Sequence, residues 1–204
     1  MSILNLGWRK ILLRALVVIF IIYVALVIYR AFHFWNLEKT NKQVEKIHST
    51  KLTLDDVFGR NLPPDPGAEA DKTVAGIDAN TNGIRDDVEL AIFKEYPDSA
   101  KTRAVLLQYA LALQMEVTQP MVNTETVTEV VREQSRAYLC VGKILPRNDM
   151  EKYIQDGDSL RSFVEIRQFD TEERKKAQLD FLKKVSSHES LDRYCDIDYS
   201  TLSN

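Results

Sequence analysis

The sequence predicts an all-α protein, with an N-terminal transmembrane helix and a small irregular helical bundle. Three observations lead to this prediction. The chain opens with an almost unbroken apolar run, a proline-rich segment follows it, and the remaining residues repeat apolar side chains at helical spacing. The alternation of apolar and polar residues that is typical of half-buried strands is nearly absent. The bundle is predicted to begin after a polar loop at residues 78–89.

The first helix is predicted from the apolar run at residues 15–29, which has Arg14 and Arg30 at its two ends. Arginine side chains near the ends of a span can reach the lipid headgroups. The stretch of residues 11–35 can therefore cross a hydrocarbon core, which takes about 20 residues. Aromatic residues flank the run as they do at membrane interfaces: Trp8, Tyr29, Phe34 and Trp35.

A cleaved signal peptide is the alternative for this segment. Such a peptide ends in small residues after a shorter apolar run, whereas this run ends in Tyr29, Arg30 and Phe32. A buried core helix is a second alternative, but residues 15–29 have no polar face. We therefore predict an uncleaved single-pass anchor and a short cytoplasmic tail in residues 1–35.

The polar residues 36–67 are predicted to form a stalk and a proline-rich connector. Residues 36–51 are charged, with few apolar positions, and predict a helical or semi-ordered stalk. Pro63, Pro64 and Pro66 exclude a helix after it and favour extended backbone. An extracytoplasmic helical domain is then predicted over residues 68–204.

Five helices are predicted in this domain from capping residues, prolines and apolar spacing. They cover residues 86–96, 98 or 99 to about 117, 123 or 124 to 141, 149–169 with an interruption at Gly157, and 170–185. Gly142 is predicted at the C′ position of the third helix, and Asp170 with Glu173 as a capping box of the fifth. Arg174 and the two lysines after it are predicted to lie on a solvated helix face.

The most specific motif of the chain is the segment of residues 78–89, which fits the twelve-residue EF-hand loop. Calcium takes six to eight oxygen ligands, which such a loop supplies from positions 1, 3, 5, 7, 9 and 12. Gly83 stands at position 6, where the sharp turn requires a residue that tolerates positive φ. The predicted Ca²⁺ ligands are Asp78, Asn80, Asn82, the carbonyl of Ile84, Asp86 and Glu89.

A polar turn without metal is the alternative, because Asp86 and Asp87 also favour the start of a helix by themselves. The segment departs from a standard EF-hand in two ways. It lacks a periodic entering helix, and Arg85 replaces the usual apolar residue of position 8. We therefore expect a solitary structural site, with a dissociation constant of about 10⁻⁵ to 10⁻³ M.

The segment resembles the calcium loops of dockerins, thrombospondin type 3 repeats and bacterial surface-protein repeats more than the loops of calmodulin. This resemblance covers about a dozen residues, the length of such a loop. The longer string from Gly76 to Pro97 is similar to that of a group of uncharacterised Gram-negative bacterial membrane-anchored proteins with the signature GID-N-NG-RDDVE. That similarity implies a bacterial source and brings no activity with it.

Cys140 and Cys195 are predicted to form a disulfide, because the chain carries an export anchor. Two unrelated buried thiols are the alternative, and zinc is disfavoured because the chain has no CxxC motif or nearby histidine pair. Basic residues flank the span on both sides and do not decide its orientation. A disulfide and a weak calcium site both favour the outside, which predicts the inner membrane with the C-terminal domain in the periplasm.

Catalytic motifs are missing from the sequence. The histidines are expected at the membrane edge (His33), in the stalk (His48) and in an exposed tail (His188), without a nucleophile motif beside them. The chain has no phosphate-binding glycine loop. With a formal net charge of -3 and no basic excess, nucleic acid is not an expected partner.

The leading expectation is a non-enzymatic, membrane-anchored, calcium-stabilised interaction or scaffold protein with a protein partner in the envelope. The alternative is a periplasmic enzyme, such as a cell-wall hydrolase, whose catalytic carboxylates the sequence does not identify. Glu133 and Glu165 are candidates for that role only in the sense that any carboxylate could act as an acid or a base. A small subunit of a larger envelope complex, held through the transmembrane helix, is a third interpretation.

Overall fold

A computed structural model of the chain describes residues 3–186 and 194–203. The chain divides into two compact units, Met1–Lys42 and Gln43–Asn204. His188 lies outside the described residues. Within the described residues the regular structure is helical and contains no β-strand, which confirms the predicted all-α class.

The first helix, α1, covers Ile3–Ser49. It is the one helix of the described residues that is long and apolar enough to cross a membrane. Its apolar side chains in the first unit are exposed, among them Ile19 at 62% and Phe20 at 65%. Exposure of this kind is favourable in lipid and unfavourable in water. The length and composition that were expected of a transmembrane helix are therefore present.

Six further helices belong to the second unit of the described chain, together with 3-10 turns at Gly67–Asp71 and Tyr199–Thr201. They are α2 (Leu54–Phe58), α3 (Asp86–Glu95), α4 (Ala100–Thr118), α5 (Thr124–Lys143), α6 (Met150–Gln168) and α7 (Glu172–Leu182).

Side-chain caps begin four of the five longer helices, α3 to α7. Ser99, Asn123, Asp149 and Thr171 each accept a hydrogen bond from the backbone N–H three residues later. Such a bond satisfies one of the N–H groups that the first turn leaves without a partner. Three of these caps lie where the sequence predicts them. At α7 the cap is Thr171 rather than the predicted Asp170, because two arginines bind the Asp170 carboxylate instead.

Helix α4 lies at the centre of the second unit. All of its residues from 103 to 116 are buried. The other helices of this unit that contact it are α2, α3, α5, α6 and α7. A helix that is covered on every side needs no polar face, which explains the nearly continuous apolar sequence of its middle turns.

The predicted connector is part of this packed unit. Residues 54–58 form α2 despite the prolines that follow, and Leu52 and Val57 are buried at 5% and 0% exposure. Thr53 caps this short helix through a capping box with Asp56. The compact unit therefore starts at Gln43 instead of near residue 68, because the apolar residues of the connector pack into the core.

Two predicted helix breaks are wrong. Gly142 lies inside α5, and Gly157 lies inside an uninterrupted α6. At Gly142 an added Cβ would come within 2.3 Å of the Tyr153 hydroxyl. This glycine therefore permits the close approach of α6 to α5 and does not end a helix.

Candidate metal centre

The candidate site is the segment of residues 78–89, which we call the 78–89 loop. It follows the 3-10 turn at Gly67–Asp71 and leads into helix α3, whose first residues belong to the motif. The N–H of Asp86 donates to the carbonyl of Ile77, with 2.9 Å between the nitrogen and the oxygen. The carboxylate of Asp86 accepts the N–H of Ala79, at 3.0 and 3.2 Å from its two oxygens. These bonds close the base of the loop before α3 begins.

The Asp78 carboxylate organises the turn above this base. Its Oδ1 accepts the N–H of Asn82 at 3.1 Å, and its Oδ2 accepts the N–H of Gly83 at 2.9 Å. Gly83 has a φ of +86°, and an added Cβ would lie 2.7 Å from the Leu111 side chain. Both observations explain why position 6 of the motif requires glycine.

The last residue of the motif, Glu89, lies in the first turns of α3 and is fully buried. Its Oε2 accepts the amides of Asn80 and Asn82, at 3.0 and 3.1 Å. Its Oε1 is buried without a hydrogen-bond partner. The side chains of positions 3 and 5 are therefore bonded to the side chain of position 12, whereas that of position 1 is bonded to the backbone of the loop.

Burial dominates the electrostatics of these acids. It raises the pKa of Glu89 to about 7, although the hydrogen bonds from Asn80 and Asn82 counteract part of the effect. Burial also raises the pKa of Asp78 and of Asp86, against the hydrogen bonds from the loop backbone. Carboxylates held this close together and away from water favour a bound cation or a proton.

The remaining predicted ligand, Ile84, has a fully buried side chain in the core. Because this side chain is apolar, the backbone carbonyl oxygen is the atom of Ile84 that could coordinate an ion. In the part of the chain that the structure describes, no three His, Cys, Asp or Glu side chains are grouped so that they could hold a metal. A cation in the 78–89 loop would thus depend on amide and carbonyl oxygens as well as on carboxylates.

The donor types in the loop fit calcium. Three carboxylates, two side-chain amides and one carbonyl provide at least six oxygens, which is within the range that calcium takes. Both amides turn their Nδ2 toward Glu89 in this structure. Coordination of a cation would require each amide to present its oxygen instead, which a rotation of the amide group achieves.

Arg85 stands where an EF-hand has the apolar residue of position 8, and the structure gives it an anchoring role. It is fully buried and forms two hydrogen bonds to the Asp87 carboxylate. It also donates to the backbone carbonyls of Arg167 and Gln168 at the end of α6. In place of the apolar residue of a paired EF-hand, a buried arginine fixes the 78–89 loop to the α6–α7 corner.

Arg174 is not on a solvated face. It is fully buried, and its guanidinium donates to the carboxylates of Asp71 and Asp170 at 2.8 and 2.6 Å. It also binds the backbone carbonyls of Ala70, Thr73 and Val74. All of these partners except Asp170 lie about one hundred residues earlier in the chain, in the segment that leads into the 78–89 loop.

A cleft of about 330 Å³ lies beside the loop. Asp78, Thr81 and Gly83 line one side of it, and residues of α4 and the end of α1 line the others. Asp78 is the one acidic residue among its lining groups. Two facing carboxylates, the arrangement that would favour a hydrolase, do not line this cleft.

Two other acids interact inside the bundle. Glu165 on α6 accepts a hydrogen bond from the Tyr109 hydroxyl, and its charge raises the pKa of Glu116 on α4. Burial is the main cause that raises the pKa of Glu116 to about 8, and the nearby side chain of Gln178 lowers it in part. Glu116 is 4% exposed and has no hydrogen bond of normal geometry. Glu116 is therefore shielded from solvent in this structure.

The other sequence candidates have structural partners. Glu133 pairs with Lys51 at 2.7 Å and with Arg136. His48 lies 2.8 Å from a carboxylate oxygen of Glu129. These contacts join the start of the second unit to α5.

The two cysteines lie at bonding distance, with 2.09 Å between the sulfurs of Cys140 and Cys195. The residue after Cys195 is held as well, because Asp196 pairs with Arg136 at 2.7 Å. The described C-terminal residues are thereby fastened to α5. The predicted pairing is present in the structure.

The chain matches no family model, and comparison with curated proteins and with solved structures finds no similar protein. Its function therefore has to be inferred from its own residues.

Proposed function

We propose that this protein is a single-pass membrane protein whose helical unit binds one structural calcium ion in the 78–89 loop and serves as an extracytoplasmic interaction or scaffold module. The ion would be held by Asp78, Asn80, Asn82, Ile84, Asp86 and Glu89. Calcium would supply positive charge to a buried group of acids. It would thereby fix the start of α3, the helix that carries Glu89.

The observation that carries this proposal is the state of the Glu89 carboxylate. It is fully buried, and one of its oxygens has no partner. A buried charged group without full hydrogen bonding is costly unless it is paired or coordinates a metal. The twelve-residue spacing, the glycine turn and the converging amides all surround this one carboxylate, which favours a cation over a simple polar turn.

The location outside the cytoplasm is supported by the cysteine pair. Disulfides persist in oxidising compartments and are rare in the cytosol. A site with three carboxylates and two neutral amides is also expected to bind calcium at the concentrations found outside cells. Both features favour an orientation with the N terminus in the cytoplasm, α1 in the inner membrane and the second unit in the periplasm.

An interaction role is supported by exposed apolar residues on α7. Leu179 and Leu182 are 56% and 47% exposed. They are three residues apart and therefore lie on the same face of the helix. If this face binds an envelope protein, cross-linked partners of the wild-type protein should be lost in Leu179→Ser/Leu182→Ser and retained in Glu173→Ser, a change at an exposed residue on another face of the same helix.

The calcium proposal is tested by calorimetry of the full-length protein in a mild detergent, with a chelator or with calcium up to millimolar levels. Calcium at 100-fold excess over the dissociation constant would add about 2.7 kcal/mol to the free energy of unfolding. The Tm should therefore rise by several degrees. Magnesium should have a smaller effect, since it requires stricter octahedral geometry.

The matched variants are Glu89→Gln and Glu95→Gln, which remove a buried and an exposed carboxylate from the same helix. Glu89→Gln should abolish the calcium effect and leave the Tm in chelator unchanged or higher, because it removes a buried charge. Glu95→Gln should keep the calcium effect. A wild-type Tm that does not change with calcium would show that the segment is only a polar turn.

A further inference from the structure

Helix α2 carries two adjacent acids with opposite surroundings. Asp55 has a side chain that is 51% exposed, and it pairs with Arg60. Asp56 is 7% exposed. Its Oδ2 accepts the N–H and the hydroxyl of Thr53, at 2.8 and 2.6 Å. Neighbouring residues on one short helix therefore provide a buried acid and an exposed control.

The end of α2 packs against the 78–89 loop and against the helix that follows the loop. The Asn80 amide, which also binds Glu89, donates to the carbonyl of Asn61 at 2.9 Å. Gly59 ends α2 with a φ of +67°, and an added Cβ there would lie 2.8 Å from the ring of Phe93 on α3. The segment of residues 53–61 thus contacts both the 78–89 loop and the helix that follows it.

The charge of Asp56 reaches both ends of the loop motif. After burial, which is the main cause, the Asp56 carboxylate contributes to the raised pKa of Asp78 and of Glu89. Asp56 is therefore electrostatically part of the site, although it lies more than twenty residues earlier in the chain than Asp78.

We propose that Asp56 is a fourth acidic residue of the calcium site and that residues 53–61 replace the entering helix that the 78–89 loop lacks. This inference rests on the proposed function. Thr53 holds Oδ2 of Asp56, and in this proposal Asp56 acts through its negative charge close to the loop. A calcium ion in the loop then attracts the Asp56 carboxylate of α2, and calcium binding stabilises the packing of residues 53–61 against α3.

The test measures calcium affinity by titration calorimetry with the full-length protein in detergent, using calcium chloride as the probe. Asp56→Asn should weaken binding by about five- to tenfold, since it removes a nearby negative charge that attracts the cation. The difference should shrink as ionic strength rises, because salt screens charge interactions. Asp55→Asn should change the affinity by less than about twofold, because the charge of an exposed carboxylate interacts only weakly through water.

Thr53→Ala separates the charge of Asp56 from its capping role. This variant breaks the capping bond of α2 and leaves the carboxylate in place, so its affinity should stay close to that of the wild type. An affinity loss in Thr53→Ala equal to that in Asp56→Asn would overturn the inference. So would wild-type affinity in Asp56→Asn.

The two proposals fail in different ways. If the wild-type protein binds no calcium, the proposed function fails and the inference falls with it. If the wild type binds calcium and Asp56→Asn binds it equally well, only the role of Asp56 is wrong. Hydrogen exchange gives a second readout, in which calcium should slow exchange of the amides in residues 54–61 of the wild type and slow it less in Asp56→Asn.

Discussion

The guanidinium of Arg85 lies against the carboxylate of Asp170, with 3.1 Å between Nη2 and Oδ2. The other oxygen of Asp170 accepts a hydrogen bond from Arg174 at 2.6 Å. Burial alone would raise the pKa of Asp170, but the hydrogen bond from Arg174 and the charges of both arginines lower it. One carboxylate at the α6–α7 corner thus joins the 78–89 loop to the segment of residues 70–74.

Replacement of Arg85 should destabilise the protein strongly. Arg85→Ala removes the partner of the Asp87 carboxylate, of one oxygen of Asp170 and of the carbonyls of Arg167 and Gln168. Removing one member of a fully buried ion pair costs about 3–5 kcal/mol. The cost here should be somewhat lower, because the side chains of Asp87 and Asp170 are 30% and 37% exposed, and urea unfolding followed by circular dichroism would measure it. Arg60→Ala is the control, since Arg60 forms an exposed pair with Asp55 and should cost less than about 1 kcal/mol. Equal losses in the two variants would contradict the anchoring role of Arg85.

Gly76 is a second test of how Arg85 is held. Its φ is +69°, and an added Cβ would lie 2.4 Å from Cδ of Arg85. Gly76→Ala should therefore lose about 1–2 kcal/mol to the left-handed backbone and about 1–3 kcal/mol more to overpacking. Gly67→Ala is the matched control, because Gly67 also has a positive φ, +53°, but nothing lies within 4 Å of its Cβ position. The difference between the two free energies of unfolding isolates the contact with Arg85.

Local signals explain which parts of the fold the sequence predicts. Polar caps and prolines act within a few residues, and they place the starts of α4, α5 and α6 correctly at Ser99, Asn123 and Asp149. The apolar run likewise predicts α1 by composition alone. The short helix α2 is missed because three prolines nearby obscure the capping box of Thr53 and Asp56, although that signal is present in the sequence.

Distant partners explain which parts it does not predict. Arg174 precedes two lysines, so its local pattern is that of a solvated face, whereas its partners Asp71 and Val74 are about one hundred residues away. Arg85 departs from the EF-hand pattern because it too has distant partners, which lie at the α6–α7 corner. Asp56 belongs to the candidate site through packing between segments, which no spacing within the 78–89 loop indicates.

The cysteine pair should contribute substantially to stability. The disulfide joins residues 55 positions apart, and closing a loop of that length stabilises a protein by about 4 kcal/mol in the chain-entropy model. Cys140→Ser/Cys195→Ser should therefore show a Tm lower by many degrees. Reduction of the wild type should give a similar loss, and reduction of the double variant should change nothing further. Two free thiols in protein made in the periplasm, seen by mass measurement without reductant, would contradict both the pairing and its effect.

The last prediction concerns the pH dependence of stability. Glu116 has its pKa raised from 4.5 to about 8 in the folded protein, chiefly by burial. Between these values the folded state keeps a proton that the unfolded chain has lost. Stability therefore falls as pH rises through this window, by at most about 1.4 kcal/mol per pH unit from this one group. Above the folded pKa the loss is complete and this contribution becomes constant.

Glu116→Gln should remove that slope, because the amide is neutral at every pH. Unfolding of the wild type and the variant is compared between about pH 5 and pH 8, in chelator, so that the acids of the 78–89 loop contribute equally to both proteins. The variant should gain stability relative to the wild type as pH rises. Glu95→Gln, which removes an exposed carboxylate, should keep the wild-type slope. If Glu116→Gln also keeps it, Glu116 is ionised within the bundle, and water or a cation must then reach its two oxygens.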